Sequence, residues 1–316
     1  MTPPTPYPIG TPGLAWGAAE RAAWLARQQR RRSYAVDVLS VIERLGAGFD
    51  LVEYGRLDYS PDLYPLLALR SRDWNAALPT VLVTGGVHGY ETSGVQGALR
   101  FAEQQAARYA GRINLLIAPC VSPWAYERIH RWNPQAVDPN RSFRHPSPAP
   151  EAAALIGLVA PLVDACVLHI DLHETTDSDE TEFRPALAAR DGEPFAAGEI
   201  PDGFYTVGDS ANPQLPFQQA LIAAVAAITH IAPADANGEI IGSPMVAPGV
   251  ILYAFKALGL CAGMTNARYT TTTEVYPDSA RATPEQCIAA QVAAVGAAID
   301  FALAFRRCKS LKEPSC

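Results

Sequence analysis

His88 and Glu91 stand three residues apart in "TGGVHGYETSG" (84–94), where the apolar run "PTVLV" stops at two glycines. Imidazole and carboxylate are ligands that zinc prefers, and a sharp turn can aim such a pair at one point. H-x-x-E is also short enough to occur in a solvated loop, so its meaning depends on a third ligand. His173 ends "VLHIDLH" (167–173), another apolar run that gives way to polar residues. Three protein ligands and a water make a hydrolytic zinc site. Taken alone, His173 fits a loop histidine satisfied by its neighbours just as well. His169, Asp171 and His173 alternate and so share one face of a strand. Asp171 and His169 are therefore candidates to support the ligands from behind or to fill the core, with the core the first choice for His169. "HETTD" (173–177) begins like H-E-x-x-H, but Asp177 stands where the second histidine belongs, and that motif is rejected.

Two further stretches carry chemistry. "RIHRWNPQAVDPNRSF" (128–143) groups Asp138, Asn140 and Arg141. A guanidinium fork and an amide suit a carboxylate, held bidentate and oriented. A salt-bridged surface loop accounts for the same residues. "YTTTTEVYP" (269–277) places Glu274 in an alternating, β-rich run, with Thr272 on its face and Thr271, Thr273 and Val275 on the other. Glutamate is unfavourable in a strand unless it is exposed or functional.

The elements that must position these groups alternate. A helical stretch over about 16–45 leads to "FDLVEYGRL", "YPLLALRS" and "TVLVTGG", three β-branched and aromatic runs separated by turn residues. A helix follows, with Val95, Leu99, Ala102 and Ala106 at helical spacing and Gly111 closing it. "RINLLIAPCVSP" reads as a buried strand, "PEAAALIGLVAPLV" as a helix and "DACVLHIDLHETTD" as strand and loop. The last helix opens at Thr283, Pro284 and Gln286, a cap, a first-turn proline and a capping-box partner. This alternation predicts an α/β fold, a single domain with a central mixed, mostly parallel twisted sheet flanked by helices. Segment 1–45 packs on a catalytic domain of 46–307, and 308–316 is a tail. Sites in such sheets gather at the carboxyl ends of strands, where His88, Glu91 and His173 stand.

The chain has 316 residues, 49% of them hydrophobic, and a formal charge of −7, ample for one large core. The acidic balance argues against nucleic acid as a partner. The basic cluster "RQQRRR" (27–32) reads as the solvated face of a surface helix. No apolar run reaches membrane-spanning length; the longest, "QALIAAVAAITHIA", contains His230 and is a core-helix candidate. The opening residues lack the basic and apolar regions of a secretion signal, so a cytoplasmic protein is expected. Cys120 and Cys166 lie in strand-like runs, Cys287 in a helix pattern and Cys308 and Cys316 in the tail, with no C-x-x-C pair. Free buried thiols are expected rather than disulfides.

"GGVHGYE", "RWNPQAVDPNRSF", "DLHETTD" and "TTTTEVYP" resemble, in order, the four signature blocks of the zinc carboxypeptidase family, and they span about 80 to 300. The resemblance implies that family's fold and one zinc per chain on His88, Glu91 and His173. It implies Asp138 behind His88, Asn140 and Arg141 on the substrate's terminal carboxylate, and Arg131 polarising the scissile carbonyl. Glu274 would be the general base that deprotonates the zinc-bound water and returns the proton to the leaving amine. Tyr253, 21 residues before Glu274, resembles the family's mobile tyrosine through the loose match "GVILYAFKALG". Tyr90 departs from the arginine that digestive members carry there. "DLHETT" is closer to the aspartoacylase and succinylglutamate desuccinylase branch, which hydrolyses N-acyl amino acids. The expected activity is that of a zinc metallocarboxypeptidase, with an N-acyl amino acid deacylase as the alternative and an inactive zinc-containing binding protein third. Either substrate would carry a free carboxylate. Trp124, Tyr126 and Trp132 are either aromatic walls of an open peptide groove or core. The acidic run "TTDSDETE" (175–182) and Lys256 are read first as solvated.

Overall fold

The computed structural model describes residues 7–310; residues 1–6 and 311–316, Cys316 among them, lie outside the described residues, as do the side chains of 305–310, including that of Cys308. Ten strands and nine α-helices follow one another among them. The strands are β1 (Phe49–Tyr59), β2 (Asp62–Ser71), β3 (Thr80–Gly85), β4 (Asn114–Ala118), β5 (Cys166–Glu174), β6 (Tyr205–Asp209), β7 (Glu239–Ile240), β8 (Ser243–Pro244), β9 (Val250–Tyr253) and β10 (Tyr269–Val275). The helices are α1 (Ala18–Leu25), α2 (Ser40–Leu45), α3 (Thr92–Gln104), α4 (Pro123–Arg128), α5 (Pro150–Val159), α6 (Arg184–Asp191), α7 (Leu215–Val225), α8 (Phe255–Leu258) and α9 (Pro284–Ser310). Eight strands form one mixed sheet in the order β1-β2-β4-β3-β5-β10-β6-β9, while β7 and β8 pair separately.

The centre of the sheet is parallel: β3 pairs with β4 and β5, and β5 with β10. Antiparallel pairing of β1 with β2, β2 with β4 and β10 with β6 makes the sheet mixed, as predicted. β3 is buried throughout, as a central strand covered on both faces must be. Its side chains divide by the two-residue period: Val81 and Val83 face the core shared with α3 and α9, and Leu82 faces the core shared with α5. The predicted cap of α9 is present, with Gln286 N–H donating to Thr283 Oγ1 (3.2 Å) and Thr283 N–H to Gln286 Oε1 (3.0 Å).

Three expectations need correction. Within the stretch read as helical over about 16–45, the helical parts are α1, a π-helical turn at Ala35–Leu39 and α2, with a non-helical link after α1. The "RQQRRR" cluster lies in the link between them, so it is no helix face. Arg30 pairs there with Asp62 and Glu127, each at 2.7 Å. Pro284–Ala304 does have the length and mean hydropathy (1.9) of a membrane span. It packs on α3, α7 and the sheet with Ala290, Ala294, Val295, Ala298 and Ile299 buried, which makes it a core helix. Cys120, Cys166, Cys261 and Cys287 are buried free thiols, as expected of those described.

Candidate metal centre

Every block of interest comes to the carboxyl end of the parallel strands. After β3 the chain turns through Gly86, whose φ of +59° suits glycine. Gly89 lies so close to α4 that a Cβ there would stand 2.0 Å from the Ala125 carbonyl carbon and Tyr126 nitrogen. This turn carries His88 and Glu91, and Glu91 is the residue before α3. His173 arrives one residue before the end of β5, and Glu274 lies beside it in the β5–β10 register.

Glu91 joins the two imidazoles. His88 Nδ1 lies 2.7 Å from Glu91 Oε1, and His173 Nδ1 lies 2.7 Å from Glu91 Oε2. One ligand atom from each residue fits within 4.8 Å of the others, and all three side chains are buried. Each far nitrogen meets a carboxylate: His88 Nε2 lies 3.1 Å from Asp138 Oδ1, and His173 Nε2 lies 2.6 Å from Asp171 Oδ2. Thr84 Oγ1 donates to the other Asp171 oxygen (2.6 Å) and lies 3.1 Å from His169 Nε2. A carboxylate at each Nε2 favours the tautomer protonated there, which would leave the Nδ1 lone pairs free for a cation beside Glu91. Glu91 Oε2 is buried and accepts no well-directed hydrogen bond. Burial alone would raise the Glu91 carboxyl, but His173 and His88 outweigh it and bring it down to about 2. A permanently ionised carboxylate with an orphaned oxygen, between two imidazole nitrogens, fits a divalent cation. The His₂Glu set matches hydrolytic zinc.

The remaining candidates surround this triangle. Arg131, Asp138, Asn140, Arg141, Tyr253 and Glu274 line one cavity of about 620 Å³ together with His88 and Glu91. Asp138 reaches His88 with one oxygen and Arg131 Nε with the other (3.0 Å). Arg131 Nη1 lies 3.2 Å from the Tyr90 hydroxyl and 3.4 Å from Asp179 Oδ1. Tyr90, which departs from the expected arginine, stacks on His88 at 6.0 Å between centroids and donates its hydroxyl proton to Asp179 (3.0 Å). Arg141 is exposed, and its Nη1 donates to the Asn140 carbonyl (2.7 Å). Asn140 is committed within the protein: its Oδ1 accepts from Cys261 N–H (2.8 Å), and its Nδ2 lies 3.4 Å from His173 Nε2. Glu274 Oε2 accepts from Thr175 Oγ1 (3.0 Å). Burial raises the Glu274 carboxyl to about 8 against the opposing pull of His173. Tyr253, at the end of β9, lines the same cavity.

Several of these neighbours were not singled out in the sequence. Asp179 lies in the run read as solvated, yet Thr175, Thr176 and Asp179 are buried. A π-helical turn, Asp179–Phe183, folds Asp179 over Arg131. Trp124 and Tyr126 are core residues, 4% and 2% exposed, and do not line the cavity. Trp132 lines it at 1% exposure, packed against Trp24 and Trp16. Lys256 is exposed, with Nζ donating to Asn266 Oδ1 (2.8 Å).

Comparison with known proteins gives one family match over part of the chain and several solved structures of similar fold. Residues 77–193 match the model of the succinylglutamate desuccinylase/aspartoacylase catalytic domain. A candidate metallopeptidase from Shewanella denitrificans is 21% identical, with a TM-score of 0.61 over 85% of this chain and 89% of that one. A metallo-carboxypeptidase from Burkholderia cenocepacia is 17% identical (TM-score 0.54; 91% of this chain, 70% of that one). Carboxypeptidase A from Helicoverpa armigera is 14% identical (TM-score 0.54; 92% and 74%). No curated protein sequence matches the chain.

Proposed function

From a zinc carboxypeptidase-like fold whose residues 77–193 match the succinylglutamate desuccinylase/aspartoacylase catalytic domain, we propose a zinc-dependent amide hydrolase. Its first reading is a metallocarboxypeptidase that cleaves the C-terminal amide bond of a peptide or peptide-like substrate. The observation that carries the proposal is the buried triangle of His88, Glu91 and His173, backed by carboxylates and facing the cavity that Glu274 lines.

His88, Glu91 and His173 would hold the ion. Zinc bound there supplies Lewis acidity, easing deprotonation of a water and attack on a carbonyl. Asp138 and Asp171 keep the two imidazoles in the ligating tautomer. Glu274 accepts the proton of the attacking water and returns it to the leaving amine; a carboxyl raised toward neutrality suits both transfers. Arg131, held on one side by Asp138 and Asp179, donates to the oxyanion as it develops. Arg141 grips the free carboxylate from the cavity mouth, beside Asn140.

A second reading, an N-acyl amino acid deacylase, is favoured by the family match at 77–193 and by the burial of Trp124 and Tyr126, which removes them as walls of a peptide groove. A cavity of about 620 Å³ suits a small ligand of either class. Relative turnover of blocked di- and tripeptides against N-acetyl-aspartate and N-succinyl-glutamate separates the readings. The first predicts faster cleavage of the peptides, and strong preference for the acyl amino acids selects the second. Amidating the free carboxylate should abolish cleavage in both, and efficient cleavage of amidated substrates would contradict both.

A further inference from the structure

Arg32 belongs to the link between α1 and the π-helical turn, outside the segment that carries the family match, yet it reaches the ligand turn. Its Nη2 donates to the Gly89 carbonyl, its Nη1 to Thr92 Oγ1 (2.7 Å) and its Nε to the Tyr126 carbonyl (2.6 Å). The guanidinium carbon lies 3.6 Å from the centre of the Tyr126 ring. Gly89 directly follows His88 and Thr92 directly follows Glu91, so one side chain grips the turn on both flanks of its ligands. It ties that turn to α4, against whose backbone Gly89 already rests. From the β5 side, the Glu174 carboxylate accepts the N–H groups of Thr92 (3.0 Å) and Ser93 (2.7 Å). The start of α3 is thus clamped between the N-terminal segment and the strand that bears His173. Arg32 is fixed in turn, because the N–H groups of Arg31 and Arg32 both donate to the Glu127 carbonyl (2.7 and 3.2 Å). Among the described residues no carboxylate pairs with Arg32, and its donors go to carbonyls and a hydroxyl. The planar fork is therefore what the site uses, and a lysine cannot reproduce three donors in those directions.

We propose that Arg32 is a positioning residue for the metal centre: it holds His88 and Glu91 in register with His173, so docking of the N-terminal segment and metal affinity are coupled. The inference rests on the assignment of His88, Glu91 and His173 as ligands. The test uses the full chain as wild type, R32M, R32K and H173A. I42A is the control, because it opens the core of the same segment at a fully buried side chain while leaving Arg32 in place. Zinc affinity is measured by competition with a chromophoric chelator, coordination by the visible spectrum of the cobalt(II)-loaded protein, and stability by thermal melting. R32M should bind zinc about 10–100-fold more weakly, the loss typical when a group orienting a ligand is removed. Its cobalt bands should shift, and R32K, which keeps the charge but not the fork, should fall between R32M and wild type. I42A should melt lower with unchanged zinc affinity and cobalt spectrum. Wild-type zinc affinity in both R32M and R32K, with metal lost in H173A, overturns the role of Arg32. An equal loss of affinity in I42A also overturns it, since any destabilisation would then suffice. If H173A retains the metal, the ligand assignment falls, and this inference with it.

Discussion

Replacing Glu274 by glutamine should abolish turnover and at the same time stabilise the metal-free protein. Burial raises the Glu274 carboxyl from 4.5 to about 8, with His173 pulling the other way. Between those values the folded protein keeps a proton that the unfolded chain releases, so stability falls as pH rises through the window. Each unit of pH there is worth ~1.4 kcal/mol at full effect. Water reaches part of this side chain, and screening reduces the penalty to about 1–2 kcal/mol near pH 8. Glutamine keeps the size and the acceptor for Thr175 but carries no charge to desolvate. Scanning calorimetry of metal-free E274Q should therefore show melting roughly 2–4 °C above wild type at pH 8, with the gap closing toward pH 5. Zinc-loaded E274Q should retain its metal and lose ~10²–10⁴-fold in turnover, the usual cost of removing a general base. A variant that melts below wild type at pH 8 would refute the burial argument. Near-normal turnover would remove Glu274 from the mechanism.

Asp138 touches both His88 Nε2 and Arg131 Nε, so D138A should weaken zinc binding by about 10–100-fold in a chelator competition; unchanged affinity would mean that the His88 tautomer does not depend on it. Arg141 is exposed, and among the described residues its side chain donates only to a backbone carbonyl, that of Asn140. R141A should accordingly leave zinc content intact and raise KM roughly ten- to a hundredfold for substrates with a free carboxylate, the cost of about 1.5–3 kcal/mol for a lost charged hydrogen bond. A fall in kcat at constant KM would reassign that residue.

The candidate ligands stand out in the sequence because each lies at the carboxyl end of a buried strand, where a short apolar run meets a polar turn. Local pattern singles out His88, Glu91 and His173 but leaves each open to a plain loop reading; the resemblance of the four blocks joins them, and the fold brings the three side chains together. Asp171 was a supporting candidate for the same reason, since the strand period puts it on the face of His173. What escaped depends on how distant segments meet, although one such contact, Asp138 behind His88, was implied by the resemblance. Asp179 sits in an acidic run that reads as solvated until a π-helical turn lays it over Arg131. "RQQRRR" has the charge density of a surface helix, but its members separate, Arg30 to Asp62 and Glu127 and Arg32 to the ligand turn. Trp124 and Tyr126 are aromatic residues near a site in sequence, and no local pattern tells a cavity wall from a core. α9 carries the hydropathy of a membrane span because α3, α7 and the sheet cover so much of it.

The most direct test of the account is the zinc content of the purified full chain beside that of H173A, measured by elemental analysis with circular dichroism to check the fold. Three protein ligands around one cation predict about one zinc per chain in the wild type and loss of most of it in a still-folded H173A. Equal zinc in the two proteins would contradict the assignment of His88, Glu91 and His173 as the metal centre.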